Sequence, residues 1–284
     1  MKTKIGVLTS GGDCQGMNTV LYYLAKQCEA HNIELIGFYN GYQGVFDNKK
    51  VVLSAKTLEA VKDKGGSFLK SSRCMAMFSE EGLKKVADNI KQENLNGLII
   101  IGGDGSAKGA EALQKQHGIT SVVIPGTIDN DIEGVKLSLG YLSAVDRCKT
   151  MISWIEDTAR SHDRVFIVEV MGRHSGNIAK ALNEQIPLLA TVLPETIISN
   201  DLFQQIDENF KQNKSNVVVI TELQPQKVEF LKTELSKKYE VRVNVLGHGQ
   251  RGGPPTKAEM KLAKTMAKKA FENCLKGSSG MIES

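Results

Sequence analysis

Two features of the sequence predict an α/β fold with doubly wound, mostly parallel sheets. Short runs of β-forming residues alternate along the chain with segments of helical composition, which is typical of β-α-β units. Several runs, such as GLIII at 97–101 and VVVIT at 217–221, are apolar at every position, as expected of strands covered on both faces. Strands are predicted at 5–9, 34–39, 97–101, 122–125, 165–170, 188–193, 217–221 and 241–246.

Helices are predicted between these strands, at 17–30, 80–94, 107–116, 138–160 and 202–211. A further segment, 257–276, interleaves lysines with apolar residues, which is the pattern of a helix with one solvated face. A chain of 284 residues is long enough for two domains of ordinary size. The long helix at 138–160 is the predicted connection between them.

The composition is that of a globular protein, with 41% hydrophobic and 24% charged residues. No apolar run approaches the roughly 18 residues of a membrane span, and the start MKTKIGVLTSGGD turns to glycine and aspartate too early for a signal peptide. The five cysteines lack a CxxC motif, which indicates a reduced, cytoplasmic compartment and no structural zinc. Much of the net charge of +4 comes from 257–276, where no interleaved aromatic pattern predicts nucleic-acid binding.

Most predicted strands are followed by glycine, a charged residue or both. Ligands of open α/β sheets bind at the carboxyl ends of the strands, so these loops are predicted to form a site for charged ligands. The loops read SGGDCQGMN, GGDGSAKG, PGTIDND, MGRHSGN and GHGQRGG, and Glu222 follows the strand at 217–221.

Neither glycine-rich loop matches a standard nucleotide motif. The first has the Gly11-to-Gly16 spacing of a phosphate loop, but Met17 and Asn18 stand where Lys and Ser or Thr are required. This loop is either a tight strand-to-helix turn or a source of backbone N–H groups for an anion at a helix N-terminus. GGDGSAKG is one residue too long for GxGxxG. Asp104 within it would repel a phosphate unless a cation lies between them, which predicts Mg²⁺ carrying a nucleotide.

The segment PGTIDND places a hydroxyl, two carboxylates and an amide directly after a predicted buried strand. In extended chain Asp129 and Asp131 would face the same side, so that one reaches a metal and the other acts as a base on a substrate hydroxyl. An Asx-rich turn is the alternative, because Asp and Asn favour turns by bonding their own backbone.

Arginines occur next to glycine or strand ends, where bidentate contacts to phosphate oxygens are expected. They are Arg73, Arg164, Arg173, Arg242 and Arg251. Any one of them alone is more simply explained as a surface ion pair. His248 lies in the same set of loops and is a candidate donor to a phosphate or sugar oxygen. Together the loops predict a Mg²⁺-dependent kinase of a small phosphorylated metabolite.

Taken in order, several segments resemble motifs of the phosphofructokinase family, spaced as in its short bacterial members. They are IGVLTSGGD, GMN, IIIGGDGS, PGTIDND, VEVMGRHSG, ITE and VLGHGQRGG, and the resemblance extends from Ile5 to about Gly277. It implies the two-lobed phosphofructokinase fold. It also implies transfer of a phosphoryl group from ATP, with Mg²⁺, to O1 of fructose 6-phosphate, giving fructose 1,6-bisphosphate.

The resemblance implies catalytic roles at three matching positions. Asp129 would take the proton from O1, Thr127 would hold the sugar end, and Arg173 would stabilise charge on the transferring phosphoryl group. Asp104 would hold Mg²⁺, helped by Asp131.

The resemblance also implies binding residues. For the nucleotide they are Gly12, Arg73 with its neighbour Cys74, Gly103, Asp104, Gly105 and Ser106. For the sugar phosphate they are Met171, Gly172, Glu222, His248 and Arg251, together with Thr127, Asp129 and Arg173. Arg164 and Arg242 would reach in from a neighbouring subunit, which implies a homotetramer. Residues 1–138 plus 251–284 would form the nucleotide-binding lobe, and residues 139–250 the sugar-phosphate-binding lobe.

The phosphoryl donor is expected to be ATP rather than pyrophosphate. Pyrophosphate-using relatives carry Asp and Lys at the positions of Gly105 and Gly126, and glycine leaves room for the α-phosphate and nucleoside. The chain departs from the family at Tyr22 and Lys26, where regulatory arginines are expected, and it ends at GMIES, before an expected closing strand and helix. A pyrophosphate-dependent enzyme and a regulatory paralogue with little activity are therefore the alternatives.

Overall fold

The computed structural model describes residues 3–283 and divides the chain into two compact units. The first unit comprises the residues up to Thr127, Ile132–Leu142 and the residues from Arg251 onward. The second comprises Ile128–Asp131 and Ser143–Gln250. The division expected after residue 138 thus falls after Leu142, and the short segment Ile128–Asp131 goes with the second unit rather than the first.

The strands in the described residues agree closely with the predicted ones, apart from three additions. The strands are β1 (Lys4–Thr9), β2 (Glu34–Phe38), β3 (Lys50–Leu53), β4 (Gly97–Gly102), β5 (Ser121–Thr127), β6 (Leu139–Gly140), β7 (Arg164–Val170), β8 (Ala190–Val192), β9 (Val217–Thr221), β10 (Glu240–Val245) and β11 (Gly280–Met281). The strands absent from the prediction are β3, β6 and β11, which are two to four residues long and carry too short a pattern to be recognised.

The helices include the six predicted segments and four shorter ones. They are α1 (Met17–Ala30), α2 (Tyr42–Phe46), α3 (Ala55–Leu58), α4 (Glu80–Gln92), α5 (Asp104–His117), α6 (Tyr141–Ser161), α7 (Asn177–Gln185), α8 (Asn200–Lys211), α9 (Pro225–Leu235) and α10 (Lys257–Leu275). α6 begins three residues later than predicted because Leu139 and Gly140 pair with β5 as a strand. α5 begins three residues earlier, at Asp104, so the glycine-rich loop is largely the first turn of a helix.

The first unit contains a sheet in the order β11-β5-β4-β1-β2-β3, with β6 also pairing with β5. Its pairs are parallel except for β2 with β3. The chain moves from β1 to β2 on one side and later to β4 on the other, so the topological switch point lies between β1 and β4. Ligands bind at such points, and the loops after β1 and β4 meet there.

The second unit contains a fully parallel sheet in the order β10-β7-β9-β8. β9 is buried at every position, and β7 is buried at most of them. An apolar core cluster lies on one face of this sheet and includes Val165, Ile167, Val218 and Ile220 of the strands with residues of α8 and α9. The predicted fold class, α/β with two doubly wound and mostly parallel sheets, is confirmed.

The last described residues form a strand that the sequence did not predict. Gly280 and Met281 form β11, which pairs in parallel with Val122 and Val123 of β5. The N–H of the following residue, Ile282, donates to the carbonyl oxygen of Val123 at 2.9 Å, and its side chain is buried. The first sheet is therefore extended by the last described residues.

Within the described part of the chain, none of the helices combines the length and the apolar character that crossing a bilayer requires. The five cysteines are all buried free thiols. Burial raises the pKa of the thiols of Cys28, Cys148 and Cys274 to about 12, with a smaller contribution to Cys28 from its neighbours Cys274 and Glu29.

Candidate active site

The loop after β1 provides a helix N-terminus at the switch point of the first sheet. Its glycines Gly11 and Gly16 have φ of +83° and +92°, and Gly16 is the N-cap of α1. A side chain at Gly16 would clash with Leu139, because a Cβ there would lie 2.8 Å from Cδ1 of that residue. The N–H of Ser10 donates to the carbonyl oxygen of Ile101, which fixes the loop beside the end of β4.

Arg251 lies against the loop after β1, although the family resemblance assigns this residue to the sugar phosphate rather than to the nucleotide. Its Nη1 donates to the carbonyl oxygen of Asp13 at 3.0 Å, and a Cβ at Gly12 would lie only 2.5 Å from that nitrogen. Gln15, which is fully buried, donates from Nε2 to the carbonyl oxygen of Gly252 at 3.0 Å. The glycine loop and the segment after Arg251 thus brace each other within the first unit.

The loop after β4 is the start of α5. Gly103 is the N-cap in an extended conformation, and Asp104 lies in the first turn, where a carboxylate is favoured by the helix dipole. Ser106 is buried, and its carbonyl oxygen accepts a hydrogen bond of 2.8 Å from the hydroxyl of the buried Tyr42. A Cβ at Gly105 would meet no described atom within 4 Å, so open space lies above this turn.

Arg73 follows a serine-rich segment that is fastened to the glycine loop. The hydroxyl of Ser71 donates to the carbonyl oxygen of Gly11 at 2.6 Å, and that of Ser72 donates to the carbonyl oxygen of Asn40 at 3.0 Å. Arg73 itself is exposed. The next side chain, Cys74, packs into the apolar core of the first unit, so only its backbone is available to a ligand.

Thr127 ends β5, and its backbone is held by β6. The hydroxyl of Ser138 donates to the carbonyl oxygen of Thr127 at 2.7 Å, and Thr127 pairs with Gly140. The N–H of Gly140 in turn donates to Oε1 of the fully buried Glu259 at 2.8 Å. The buried carboxylate of Glu259, on α10, therefore supports β6, and β6 in turn holds the backbone of Thr127.

The carboxylates of the PGTIDND segment do not face the same side, contrary to the expectation for extended chain. The segment turns after Thr127, and Asn130 adopts a left-handed conformation with φ of +47°. The side chain of Asp129 is only 4% exposed, whereas Asp131 is exposed. The turn leaves Asp129 in a buried environment and Asp131 in an exposed one. An Asx-rich turn and a charged site are therefore compatible interpretations of this segment.

Asp129 is positioned by the loop after β7. Its Oδ2 lies 3.7 Å from Nε of Arg173, whose side chain is 59% exposed. Its carbonyl oxygen accepts from the hydroxyl of Ser175 at 3.1 Å and from Nδ2 of Asn177 at 3.2 Å, and Asn177 also donates to the carbonyl oxygen of Asn130 at 2.8 Å. The backbone of the Asp129 turn is therefore fixed by two side chains of one neighbouring loop.

The loop after β7 is strained and held at both ends. Gly172 has φ of +131°, and Arg173 has φ of +47°, which is uncommon for a residue with a side chain. The N–H of Met171 donates to Oε1 of Gln250 at 3.0 Å, and the N–H of Arg173 donates to Oε1 of Glu222 at 3.2 Å. Another member of the predicted sugar-phosphate set, His248, is exposed on the turn Gly247–Arg251.

Two carboxylates lie near each other at this end of the second sheet. Burial raises the pKa of the Glu169 carboxyl, and the charge of Glu222 raises it further. Glu169 is next to the last residue of β7 and Glu222 directly follows β9, which are neighbouring strands. Negative charge is thus concentrated where a polyhydroxylated ligand is expected to bind.

Arg164 is the first residue of β7, and Arg242 is the third residue of the neighbouring β10. Both guanidinium groups pair with Oε1 of Glu240, at 2.9 Å from Nε of Arg164 and at 2.6 Å from Nη2 of Arg242. Hydrogen bonding to Arg164 is the largest cause of the lowered pKa of Glu240. Arg164 begins β7 and the predicted loop follows its end, about 20 Å away at the usual rise per residue. Within one chain, these arginines are not brought to the loop.

A metal site is not preformed by protein groups in the described residues, where no cluster of three or more His, Cys, Asp or Glu side chains suits a metal ion. Asp104 is 62% exposed and pairs at 2.6 Å with Lys108, which is 72% exposed. Mg²⁺ commonly takes one or two carboxylates and completes its shell with phosphate oxygens and water. The carboxylate of Asp104 in the first unit and that of Asp131 in the second are each exposed, so each is accessible to such an ion.

Several residues that shape these loops were not predicted from the sequence. They are Ser71, Ser138, Ser175, Asn177, Gln250 and Glu259. Most of them act on backbone groups of residues distant in the chain, so their own spacing carries no signal. Glu259 is the exception in part, because Thr256 and Glu259 have capping-box spacing before α10, and the Thr256 hydroxyl does accept from the N–H of Glu259.

The fold, with glycine and charged residues at the carboxyl ends of strands in two mostly parallel sheets, is that of a class of α/β protein whose loops suit phosphorylated ligands. The chain belongs to the phosphofructokinase family: the family model described as Phosphofructokinase matches residues 4–274.

Relatives and solved structures agree with this assignment. An ATP-dependent 6-phosphofructokinase of Thermotoga petrophila is 38% identical over 277 residues, covering 96% of this chain and 87% of that protein. The protein of the same name from Bacillus subtilis is 37% identical over 280 residues, covering 98% and 88%. The structure of phosphofructokinase from Saccharomyces cerevisiae superposes with a TM-score of 0.89 at 26% identity over 99% of this chain, which spans 43% of that longer chain. A pyrophosphate-dependent phosphofructokinase from Marinobacter aquaeolei has a TM-score of 0.83 at 21% identity, which is a likeness of fold alone.

Proposed function

We propose that this chain transfers the γ-phosphoryl group of ATP to O1 of fructose 6-phosphate, giving fructose 1,6-bisphosphate and ADP. Its relatives at 36–38% identity carry the name ATP-dependent 6-phosphofructokinase. The observation that carries the proposal is the buried carboxylate of Asp129 beside the exposed guanidinium of Arg173. A base and a cation in contact are what phosphoryl transfer to a hydroxyl requires.

Asp129 is the proposed base. It takes the proton from the O1 hydroxyl as O1 attacks the γ-phosphorus, and the bond from that phosphorus to the bridging oxygen of ADP breaks. The geometry that supports this role is the double anchoring of the Asp129 carbonyl by Ser175 and Asn177, which fixes the backbone from which the carboxylate projects. Arg173 stabilises the charge on the transferring group, and Thr127 holds the sugar end.

The first unit is the proposed nucleotide-binding lobe, and the second is the proposed sugar-phosphate lobe. Backbone N–H groups of Gly12 and of the α5 start, Gly103–Ser106, receive the nucleotide phosphates, with Arg73 and the backbone of Cys74 beside them. The open space at Gly105 supports ATP as the donor, since a nucleoside needs room that an acidic side chain would take.

The sugar phosphate is bound in this proposal by Met171, Gly172, Arg173, Glu222, His248 and Arg251. Arg251 uses one N–H donor on the Asp13 carbonyl and has the other donors of its guanidinium for a phosphate. Arg164 and Arg242 serve the site of a neighbouring subunit in a homotetramer, and their pairing with Glu240, away from the loop after β7, is compatible with that role. β10 is an edge strand with Val243 and Val245 exposed, as expected of a surface that a second copy covers.

Mg²⁺ is part of the proposal, held by Asp104 and Asp131 together with the nucleotide. When bound, it supplies charge neutralisation on the phosphate oxygens. Lys108 would then lose its carboxylate partner and turn to solvent, at little cost for so exposed a pair. We place the reaction in the cytoplasm, supported by five buried free thiols, and we expect no nucleic-acid or membrane partner.

The test compares donors directly. Initial rates are measured with fructose 6-phosphate and Mg²⁺, offering ATP or pyrophosphate, with aldolase coupling to detect the bisphosphate from either donor. Activity with ATP alone is expected. Activity with pyrophosphate instead would contradict the donor assignment, and an absence of bisphosphate with both donors would favour a regulatory paralogue.

A further inference from the structure

Gln250 joins three segments of the second unit through one side-chain amide. The residue is fully buried. Its Oε1 accepts from the N–H of Met171 at 3.0 Å and from the thiol of Cys148 at 3.1 Å. Its Nε2 donates to the carbonyl oxygen of Gly247 at 2.9 Å. The helix α6, the loop after β7 and the turn that carries His248 are thus held by a single group.

The chemistry of the partners fixes the orientation of this amide. A backbone N–H can only donate and a backbone carbonyl can only accept. Burial keeps the Cys148 thiol protonated by raising its pKa to about 12, so the thiol also donates. Turning the amide over would set its NH₂ group against two donors and its oxygen against a carbonyl. Only the observed orientation satisfies all three buried partners.

The loop that Gln250 holds needs support. Arg173 has φ of +47°, and such strain in a residue with a side chain persists only where the surroundings enforce it. At the start of the loop the N–H of Met171 donates to Gln250, and two residues later the N–H of Arg173 donates to Glu222. Gln250 also braces its own turn by bonding back to Gly247, one residue before His248.

We propose that Gln250, supported by Cys148, is a positioning residue for the sugar-phosphate site. It keeps the loop of Met171, Gly172 and Arg173 in register with the turn of His248, and it contacts no substrate itself. This inference rests on the proposed function, because that function makes fructose 6-phosphate the ligand of both segments.

Hydrogen exchange tests the bond from the Met171 N–H to Gln250 in the absence of a ligand. In Gln250→Met, which has a similar volume and no amide, the N–H of Met171 loses its acceptor and should exchange at least about tenfold faster. Gln15→Met is the matched control, because Gln15 is an equally buried amide of the first unit. It should leave Met171 exchange unchanged. Equal protection of Met171 in the wild type and in Gln250→Met overturns the proposal.

Steady-state kinetics separates positioning from a purely structural role. Gln250→Met should raise the KM for fructose 6-phosphate about tenfold and leave the KM for ATP unchanged, because only the sugar-phosphate loops lose their alignment. A structural role alone would lower the amount of active protein, and so the apparent kcat, with both KM values unaltered. That second pattern overturns the proposal.

Cys148 provides a milder pair of variants should Gln250→Met fail to fold. Cys148→Val removes the thiol donor and keeps an apolar side chain, which is larger than cysteine by about one methylene group, while Cys148→Ser keeps a donor. The KM for fructose 6-phosphate should rise in the valine variant and return toward the wild-type value in the serine variant; identical KM values in both contradict the role of the thiol. A wild type that does not phosphorylate fructose 6-phosphate overturns the proposed function instead, and the exchange experiment still decides the role of Gln250.

Discussion

The guanidinium of Arg173 lies 3.7 Å from the carboxylate of Asp129, measured from Nε to Oδ2. The carboxylate side chain is 4% exposed, and the arginine is 59% exposed. In the proposed reaction, the exposed guanidinium of Arg173 would shift from the buried carboxylate of Asp129 to the incoming phosphoryl group without rearrangement of the fold. The pair therefore accounts for both the orientation of the base and its readiness for substrate.

Replacing Asp129, the proposed base, should lower turnover strongly while substrate binding survives. Asp129→Ser is expected to lower kcat by about 10²- to 10⁴-fold, because general-base catalysis contributes on that order. Calorimetric titration with fructose 6-phosphate should show affinity within a few-fold of the wild type. Asp131→Ser is the comparison. Because it removes an exposed carboxylate, it should change the Mg²⁺ requirement more than the proton transfer from O1. Turnover by Asp129→Ser within tenfold of the wild type would exclude Asp129 as the base.

Gly105→Asp should impair the use of ATP without disturbing the fold. A Cβ at this position meets no described atom within 4 Å, so the thermal midpoint should change little. The added carboxylate would oppose the nucleotide phosphates, and kcat/KM for ATP should fall roughly 100-fold. Gly105→Ala, which adds the Cβ alone, should lose much less. Equal losses in the two variants would show that space rather than charge decides the effect.

Two inactive variants should complement each other in mixed oligomers. If Arg242 of one subunit serves the site that contains Asp129 of its neighbour, Arg242→Ala and Asp129→Ser are each defective alone. Mixed tetramers then contain some sites with both native residues, and activity should reappear on co-expression. Aldolase-coupled assay of the purified mixture measures this. A mixture no more active than the sum of its parents would place Arg242 and Asp129 of the same chain in one site, or Arg242 in none.

The stability of the fold should depend on Glu169 with a defined sign. Its pKa is raised in the folded state, by burial first and by Glu222 second, so the folded state binds more protons than the unfolded one. Stability should therefore fall as pH rises from the ordinary value of about 4.3 through the raised pKa, and then level off. Glu169→Gln should remove this decline in urea unfolding measured across that range.

Glu240→Gln is the control of opposite sign for the same experiment. The pKa of Glu240 is lowered, chiefly by its hydrogen bond to Arg164. Its contribution is therefore present above the ordinary carboxyl pKa and is lost as pH falls through the lowered one. If both variants changed the pH dependence in the same direction, the assignment of the Glu169 slope would be wrong.

Glu259 should matter for stability although it lies outside the proposed chemistry. Its buried carboxylate accepts from the N–H of Gly140, and β6 depends on that bond. Glu259→Leu should lower the free energy of unfolding by about 1–3 kcal/mol, the usual cost of an unsatisfied buried donor. Glu259→Gln retains an acceptor and should cost less. Denaturant titration measures both, and equal values would show that the carboxylate does not support Gly140.

Much of the fold could be read from the sequence because its signals are local. The apolar runs of β4 and β9 and the alternation of strand and helix predict parallel sheets from neighbouring residues alone. The short elements β6 and β11 could not be predicted in this way. A two-residue strand such as Leu139–Gly140 exists only because β5 lies beside it.

The sequence by itself determined which residue types stand at the strand ends. It therefore predicted that Asp129, Arg173, Asp104 and Glu222 belong to loops that bind charged ligands. Only the tertiary structure decided their environments. A left-handed Asn130 buries Asp129 and exposes Asp131, and Gln250 reaches Met171 from 79 residues along the chain. Burial and hydrogen bonding across such separations depend on packing, which no local pattern of residues encodes.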